Sequence, residues 1–371
     1  MMLGLCHCLF ASVPEDSNCQ YLLDKQIAHY FPSWEVAFDS SKNGFRTSQG
    51  CLDLLNWYID LELRYEAYLS KILGVRYENH YLGDYGEHIS NHYFQPFFQI
   101  KESQRLLLSI TTHYYKGNDE IGIGYFLGRD YINYIECFLL VEDFDRNFSL
   151  QNTPDGPDKI IYKDLKYPVK FQGKFVKNWQ GGRLTIMAKL GTRYRLESTD
   201  IPFSYAEEGI KRKFYTRVWQ DMGRLRIGWI CDLKYQNRST ITGDALFKER
   251  GIEIVTEPMV GYHLNEKLFP LLYLTYNYKD FDDTIPYWRR GFAYLVDLEF
   301  HPGGNFVWHL GTQREFVYNS RNEDIRHRRI NIGLEYRYRN IWFYLVEAME
   351  GDFPTEKYMH NHTYVQLMFR F

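Results

Sequence analysis

His362-Thr363-Tyr364-Val365-Gln366-Leu367-Met368-Phe369-Arg370-Phe371 closes the chain. Val365, Leu367, Phe369 and Phe371 share one parity, and Tyr364, Gln366, Met368 and Arg370 share the other. Successive side chains on a strand point to opposite faces, so this stretch reads as a two-faced β-strand that stops on an aromatic residue. Chain termini usually fray. A last residue set inside a strongly apolar strand face is therefore a signal in its own right.

Upstream, the same alternation recurs almost without interruption. The sequence predicts strands near 56–69, 72–81, 92–100, 105–115, 120–128, 131–142, 165–176, 182–195, 209–219, 224–235, 251–262, 267–278, 287–300, 304–317, 326–339, 341–349 and 360–371. Most have the length that a tilted strand needs to cross hydrocarbon. Short links such as Arg339-Asn340, His301-Pro302-Gly303-Gly304, Gln220-Asp221-Met222-Gly223 and Lys101-Glu102-Ser103-Gln104 alternate with longer polar ones at 350–359, 318–325, 279–286, 236–250, 196–208 and 143–164. A soluble sandwich or propeller has no reason to alternate loop lengths in this way. A transmembrane barrel does, with short turns on one side of the membrane and longer loops on the other. Trp34-Glu35-Val36-Ala37-Phe38 is the candidate for an additional first strand that makes the number even. The expectation is an all-β chain forming a single antiparallel transmembrane β-barrel of about 16–18 strands over residues 34–371. Residues 12–33 are expected to be a periplasmic lead-in, and residues 1–11 a short, atypical export segment.

Composition agrees. The 371 residues include 32 Tyr and 26 Phe, an excess that suits aromatic girdles at a lipid interface. Mean hydropathy is −0.45, which a barrel tolerates because only one strand face meets lipid. No apolar run of about 18 residues predicts a membrane-spanning helix. The net charge of −3 implies no general polyanion partner, and nucleic acid is not expected as one. The six cysteines form no CxxC pair and no zinc pattern, and neither a metal nor another cofactor is expected. Cys6-His7-Cys8 falls in the export segment, and His360-Asn361-His362 reads as the edge of an outer loop.

The terminal strand resembles that of bacterial outer-membrane β-barrels, whose final aromatic is read by the barrel-assembly machinery. This resemblance implies outer-membrane localisation, contact with outer-membrane lipid, and an assembly signal at Phe369 and Phe371. Facing can be read as well. Leu225, Ile227, Trp229, Cys231, Leu233 and Tyr235 form one apolar face, as do Trp288, Phe292, Tyr294, Val296, Leu298 and Phe300, and Ile330, Ile332, Leu334, Tyr336 and Tyr338. These should meet lipid, and the charged faces opposite them should meet a hydrated or internally paired lumen.

Two constellations could carry function. The first is a basic wall on the expected inner face: Lys166, Lys170 and Lys174; Arg183, Lys189, Arg193 and Arg195; Lys211, Lys213 and Arg217; Arg224, Arg226 and Lys234. The preceding loop supplies Asp143, Asp145, Asp155, Asp158 and Asp164. This resembles general porins, in which an acidic loop folds inward against a basic wall, and it implies passive diffusion of small hydrophilic, preferentially anionic solutes. The bland alternative is a structural or adhesion barrel with a closed, internally paired lumen. The second constellation is Gly86-Glu87-His88-Ile89-Ser90-Asn91-His92. Its His88-x-Ser90-Asn91 resembles the H-x-S-N motif of outer-membrane phospholipase A and lipid A deacylases. That implies a serine esterase with Ser90 as nucleophile, His88 as base and Asn79 as the orienting residue. The phospholipase pattern continues with Gly where this chain has His92, and polar loop residues often do no more than satisfy backbone groups. The channel is therefore the expected function, with no catalytic residue favoured. Ser109 and His113 share a face but sit about 13 Å apart along one strand.

Deletion of Phe371 is expected to lower the yield of heat-modifiable protein in the outer-membrane fraction. Cell fractionation followed by gel mobility with and without boiling checks this.

Overall fold

Alternating apolar and polar residues give each strand one lipid-compatible and one polar face. In hydrocarbon, an all-strand chain satisfies its backbone only by closing on itself. The computed structural model describes residues 43–370 except 52–56, 84–87, 114–118, 130, 143–161, 167–168, 199–204, 243–244, 283–286, 321–323 and 353–357. The export segment at 1–11, the lead-in at 12–33 and the candidate strand at 34–38 lie outside the described residues.

The described chain is strand throughout: β1 (Gly44–Cys51), β2 (Trp57–Tyr68), β3 (Leu73–Gly83), β4 (His88–Lys101), β5 (Gln104–His113), β6 (Glu120–Leu127), β7 (Tyr134–Glu142), β8 (Tyr162–Lys166), β9 (Val169–Trp179), β10 (Gly182–Gly191), β11 (Tyr194–Ser198), β12 (Tyr205–Met222), β13 (Leu225–Thr242), β14 (Ala245–Tyr262), β15 (Leu268–Asp282), β16 (Tyr287–Gly303), β17 (Phe306–Asn319), β18 (Asp324–Tyr338), β19 (Ile341–Asp352) and β20 (Tyr358–Arg370). β9 pairs with β7 and β10, while β8 pairs with β11. β10 and β11 both pair with β12. Thus β8–β9 and β10–β11 are two barrel strands, each interrupted once, and the wall has 18 strands. Every pairing is antiparallel. β1 closes the ring, with Gly44 opposite Arg370 on β20 and opposite Arg64 on β2.

The candidate at 34–38 lies outside the described residues, among which the strand that makes the count even is Gly44–Cys51. Its sequence, Gly-Phe-Arg-Thr-Ser-Gln-Gly-Cys, has a single large apolar residue, so periodicity gave no warning of it. A second correction concerns 236–250. β13 and β14 run on as 18-residue strands to Thr242 and from Ala245, which stand opposite each other in register. Most of the expected long loop is thus strand.

The short turns gather at one end. Gly223 (φ 63°) and Gly303 and Gly304 (φ 119° and 70°) take up the left-handed backbone that two-residue connections demand, and Arg339 (φ 52°) does the same between β18 and β19. Outward residues are the exposed ones: Phe94, Phe98, Leu106, Ile123, Leu139, Trp229, Phe292, Leu310 and Ile332. Their inward neighbours are buried and mostly polar, among them Glu66, Arg105, Glu136, Asp297, Gln313 and Glu335. This inversion of the ordinary soluble pattern is what a lipid-facing exterior requires.

Ile332 faces outward midway along β18, opposite Leu310. Ile332→Arg is expected to destabilise the barrel by about 2–4 kcal/mol. Denaturant unfolding in lipid vesicles measures it, with Lys211→Gln, exposed on the inner face, as the control.

Candidate functional site: a partitioned lumen and an outward polar cluster

Cross-strand register assigns each charge to a face. On the inner side of β2–β7 stand Glu62, Arg64, Glu66, Arg76, Glu78, Arg105, Glu120, Glu136 and Glu142, in which acids predominate. On β9–β13 follow Lys170, Lys174, Arg183, Lys189, Lys211, Lys213, Arg217, Arg226 and Lys234, with Asp221 and Asp232 against them. On β14–β18 the acids return as Glu253, Glu257, Asp297, Glu299, Glu315 and Glu335, together with Arg289, Arg329 and Arg337. The cationic sector is thus bounded on both sides by anionic ones.

Ion pairs form at its borders. Lys170 bonds Glu120 and lies 2.9 Å from Glu142, and Lys234 lies 2.9 Å from Glu253. Within the sector, Lys213 meets Asp232 at 3.4 Å and Arg226 meets Asp221 at 2.6 Å. Lys189 and Lys211 are different. They face inward by register, they are exposed to water, and no carboxylate pairs with them among the described residues. They lie beside Lys213 towards the loop end of the wall.

The expected basic wall needs three corrections. Between β10 and β11 the residues Thr192-Arg193 leave the ladder, and β11 resumes with inverted parity. Tyr194 opposite Gly209 is the inward residue, and Arg195 opposite Glu208 faces out. Arg193 is exposed and pairs with Glu208 at 2.7 Å on that outer side. Lys166 stands opposite Arg195 in register, and its side chain lies outside those described. Arg224 is exposed at the short turn before β13 and lies at the rim. Of the loop acids, Asp143, Asp145, Asp155 and Asp158 lie outside the described residues, and Asp164 sits on β8 opposite Glu197. Phe369 occupies the outward parity near the end of β20, and Phe371 lies outside the described residues.

At the short-turn end the lumen wall carries a packed cluster that sequence inspection misses. Phe97, Leu107, Phe126, Tyr131, Tyr134, Phe138, Leu140 and Val176 are all buried and face inward. Phe97 lies directly over Gly74, where a Cβ would meet its ring at 2.3 Å. Arg105 sits among these rings, 4.8 Å from Phe97 and 5.2 Å from Phe126, and donates to Glu66 at 3.0 Å. Tyr131 donates to the same carboxylate. Arg76 donates to Glu136 at 2.8 Å and lies 3.2 Å from Glu78. Apart from Arg76 and Glu78, these partners are 39 to 65 residues apart, so no local pattern announces them. A further group, Asp297, Glu299 and His309, offers ligand atoms within 4.8 Å of one another. His309 Nδ1 lies 3.1 Å from Asp297 and Nε2 3.8 Å from Glu335. Both ring nitrogens are therefore turned to carboxylates, which fits an internal ion chain better than an open metal site.

The second constellation lies on the opposite surface. Ser90 and His92 share the outward parity of β4 with Phe94 and Phe98. Ser90 Oγ is 3.1 Å from His92 Nε2. His92 Nδ1 is 2.8 Å from the Tyr77 hydroxyl and 3.0 Å from the Asn79 amide, both on β3. The Asn79 amide also donates to Ser90 Oγ at 3.1 Å and to the Asn91 carbonyl at 3.3 Å. The histidine beside Ser90 is thus His92. The His88 side chain lies outside those described. The overlooked cue was the spacing: two residues apart on one strand means the same face.

No protein-family model matches the chain, and no curated protein matches it. Among solved structures it is similar to OmpT, an outer membrane protein of Vibrio cholerae (10% identity, 88% of this chain and 97% of that one, TM-score 0.42). It is also similar to OccK5 (OpdH) of Pseudomonas aeruginosa (10% identity, 88% and 96%, TM-score 0.44) and to the outer membrane protein opdK of the same organism (6% identity, 88% and 96%, TM-score 0.44).

Arg105→Met is expected to destabilise the barrel by about 3–5 kcal/mol, because Glu66 stays buried without its cation. Replacing both, as Arg105→Met with Glu66→Gln, should recover most of that loss. Equilibrium unfolding of the wild type and both variants checks it.

Proposed function

We infer from the closed register and the apolar exterior that this barrel is of the outer-membrane type. From that premise, we propose that the protein is a channel of the bacterial outer membrane for passive diffusion of small hydrophilic solutes, with a preference for anions. The carrying observation is the state of Lys189 and Lys211. They point inward, are exposed to water and have no carboxylate partner among the described residues. A lumen filled by side chains would bury or pair such groups, because an unpaired ammonium in a dry interior is costly. An aqueous path along β10–β12 leaves them solvated.

The partition of charge supports the preference. The basic sector neutralises its borders through Lys170 and Lys234, while Lys189 and Lys211 at its centre have no carboxylate partner among the described residues. Anions entering along that centre are concentrated by the local potential. The acids of β14–β18 lie on other strands, so they set a field across the lumen and do not cancel the lysines locally. The partners in this reading are outer-membrane lipid, the barrel-assembly machinery during biogenesis, and the solute.

Reversal potentials across a salt gradient in planar bilayers test it. The wild type is expected to favour anions, with a bias that weakens as salt rises, since the screening length is about 10 Å at 0.1 M. The triple variant Lys189→Gln, Lys211→Gln, Lys213→Gln should shift toward cation preference. Arg193→Gln, on the outer surface, should not. A cation-selective wild type, or an unmoved triple variant, overturns the proposal.

A further inference from the structure

The geometry points to a second, independent activity: Ser90 and His92 form a nucleophile–base pair on the lipid-facing surface that cleaves long-chain acyl esters of membrane lipid. Hydrogen-bond distance between serine and imidazole, and a third group fixing the far ring nitrogen, are what serine acyl transfer needs. Here Ser90 Oγ and His92 Nε2 are 3.1 Å apart, and Tyr77 and Asn79 hold Nδ1 from the neighbouring strand. Tyr77 and His92 also stack, at 6.2 Å and 26° between planes, which fixes the ring against rotation. The base state requires a proton on Nδ1. The Tyr77 oxygen accepts it, while the Asn79 amide braces the pair by donating to Ser90 Oγ and to the Asn91 carbonyl.

Position selects the substrate. Along β4 the outward residues run Ile100, Phe98, Pro96, Phe94, His92, Ser90, and the first, second and fourth are exposed apolar side chains. Ser90 stands ten residues above Ile100, about 33 Å along the strand, or about 23 Å along the barrel axis at a tilt near 45°. An outward apolar band is about 25 Å tall. Ser90 therefore sits at its upper edge, where acyl ester carbonyls meet water. A polar cluster at that height, opening outward, faces a lipid ester and not a solute in the lumen.

The chemistry closes with water as co-reactant. Ser90 Oγ attacks the ester carbonyl carbon while its proton passes to His92 Nε2. The tetrahedral adduct collapses, the carbon–oxygen bond to the alcohol breaks, and the leaving oxygen takes the proton from Nε2. Water, deprotonated by Nε2, then attacks the acyl-serine carbonyl. Fatty acid leaves and Ser90 regains its proton. Ser90 and His92 are the catalytic residues, and Asn79 and Tyr77 are positioning residues.

Two measurements on the full-length, detergent-solubilised protein test this. The first is covalent labelling by a fluorophosphonate, located by peptide mass. Ser90 should label. Labelling should vanish in Ser90→Ala, fall at least about 100-fold in His92→Ala, persist in His88→Ala, and fall by a smaller factor in Tyr77→Phe, which keeps the ring against His92 and removes the oxygen at Nδ1. Heat-modifiable migration of each variant confirms that the barrel has formed. The second is fatty-acid release from phosphatidylethanolamine vesicles in one arm and from lipopolysaccharide micelles in the other. Release in either arm that disappears in Ser90→Ala names the ester. Absence of Ser90 labelling, or wild-type labelling in His92→Ala, overturns the site. Labelling with no release in either arm overturns the substrate class.

Discussion

Backbone closure is the constraint on which everything else rests. In hydrocarbon an unpaired N–H or C=O costs several kcal/mol, so the sheet has to end where it began. The closing element, β1, is eight residues long and nearly devoid of large apolar side chains. It is held by two complete ladders, one to β20 and one to β2. Its amino acids matter less than its peptide groups. Once the ring is shut, side-chain parity becomes global: one residue of slip anywhere carries a charge from water to lipid. The barrel's whole distribution of charge follows from that single condition.

The inner surface then solves a problem of its own. Carboxylates and cations that cannot face lipid are gathered into sectors, and at the sector borders they neutralise one another. Beside β2–β7 the solution is dense: Arg105 among Phe97, Phe126 and Tyr68, with Glu66 beneath it. Beside β10–β12 it is sparse, and lysines stand in water. A uniform wall of alternating charge would have paired everywhere and left no solvated cations, so segregation of charge along the sequence is what separates a rigid flank from a hydrated one.

Much of this was legible in the sequence, and the exceptions have physical causes. β13, β16 and β18 could be read side chain by side chain, because their ladders are unbroken and parity carries across their whole length. β10–β11 could not. Thr192 and Arg193 step out of the ladder, and every residue beyond them changes face, which is why Arg195 was assigned inward and stands outward. Position 236–250 is rich in charge and hydroxyl, as loops are, yet strands that rise beyond the membrane carry the same composition because both their faces are wet. β1 lacks the apolar alternation that marks a strand, since neighbours on both sides supply its stability. The pairing of Ser90 with His92 was readable as parity, whereas Tyr77 joined them only once the β3–β4 register placed Asn79 opposite His92.

The 18-residue strands β12, β13 and β14 have a consequence for how the molecule meets its surroundings. At about 3.3 Å per residue and a tilt near 45°, each reaches about 42 Å along the axis, well past an apolar band of about 25 Å. The wall therefore continues above the bilayer as a ridge on one side of the mouth. Because that ridge is hydrogen-bonded sheet, it presents proteases and antibodies with a stiff, paired surface in place of supple loops. It also breaks the symmetry of the rim: on this side the paired sheet stands well above the level of the membrane.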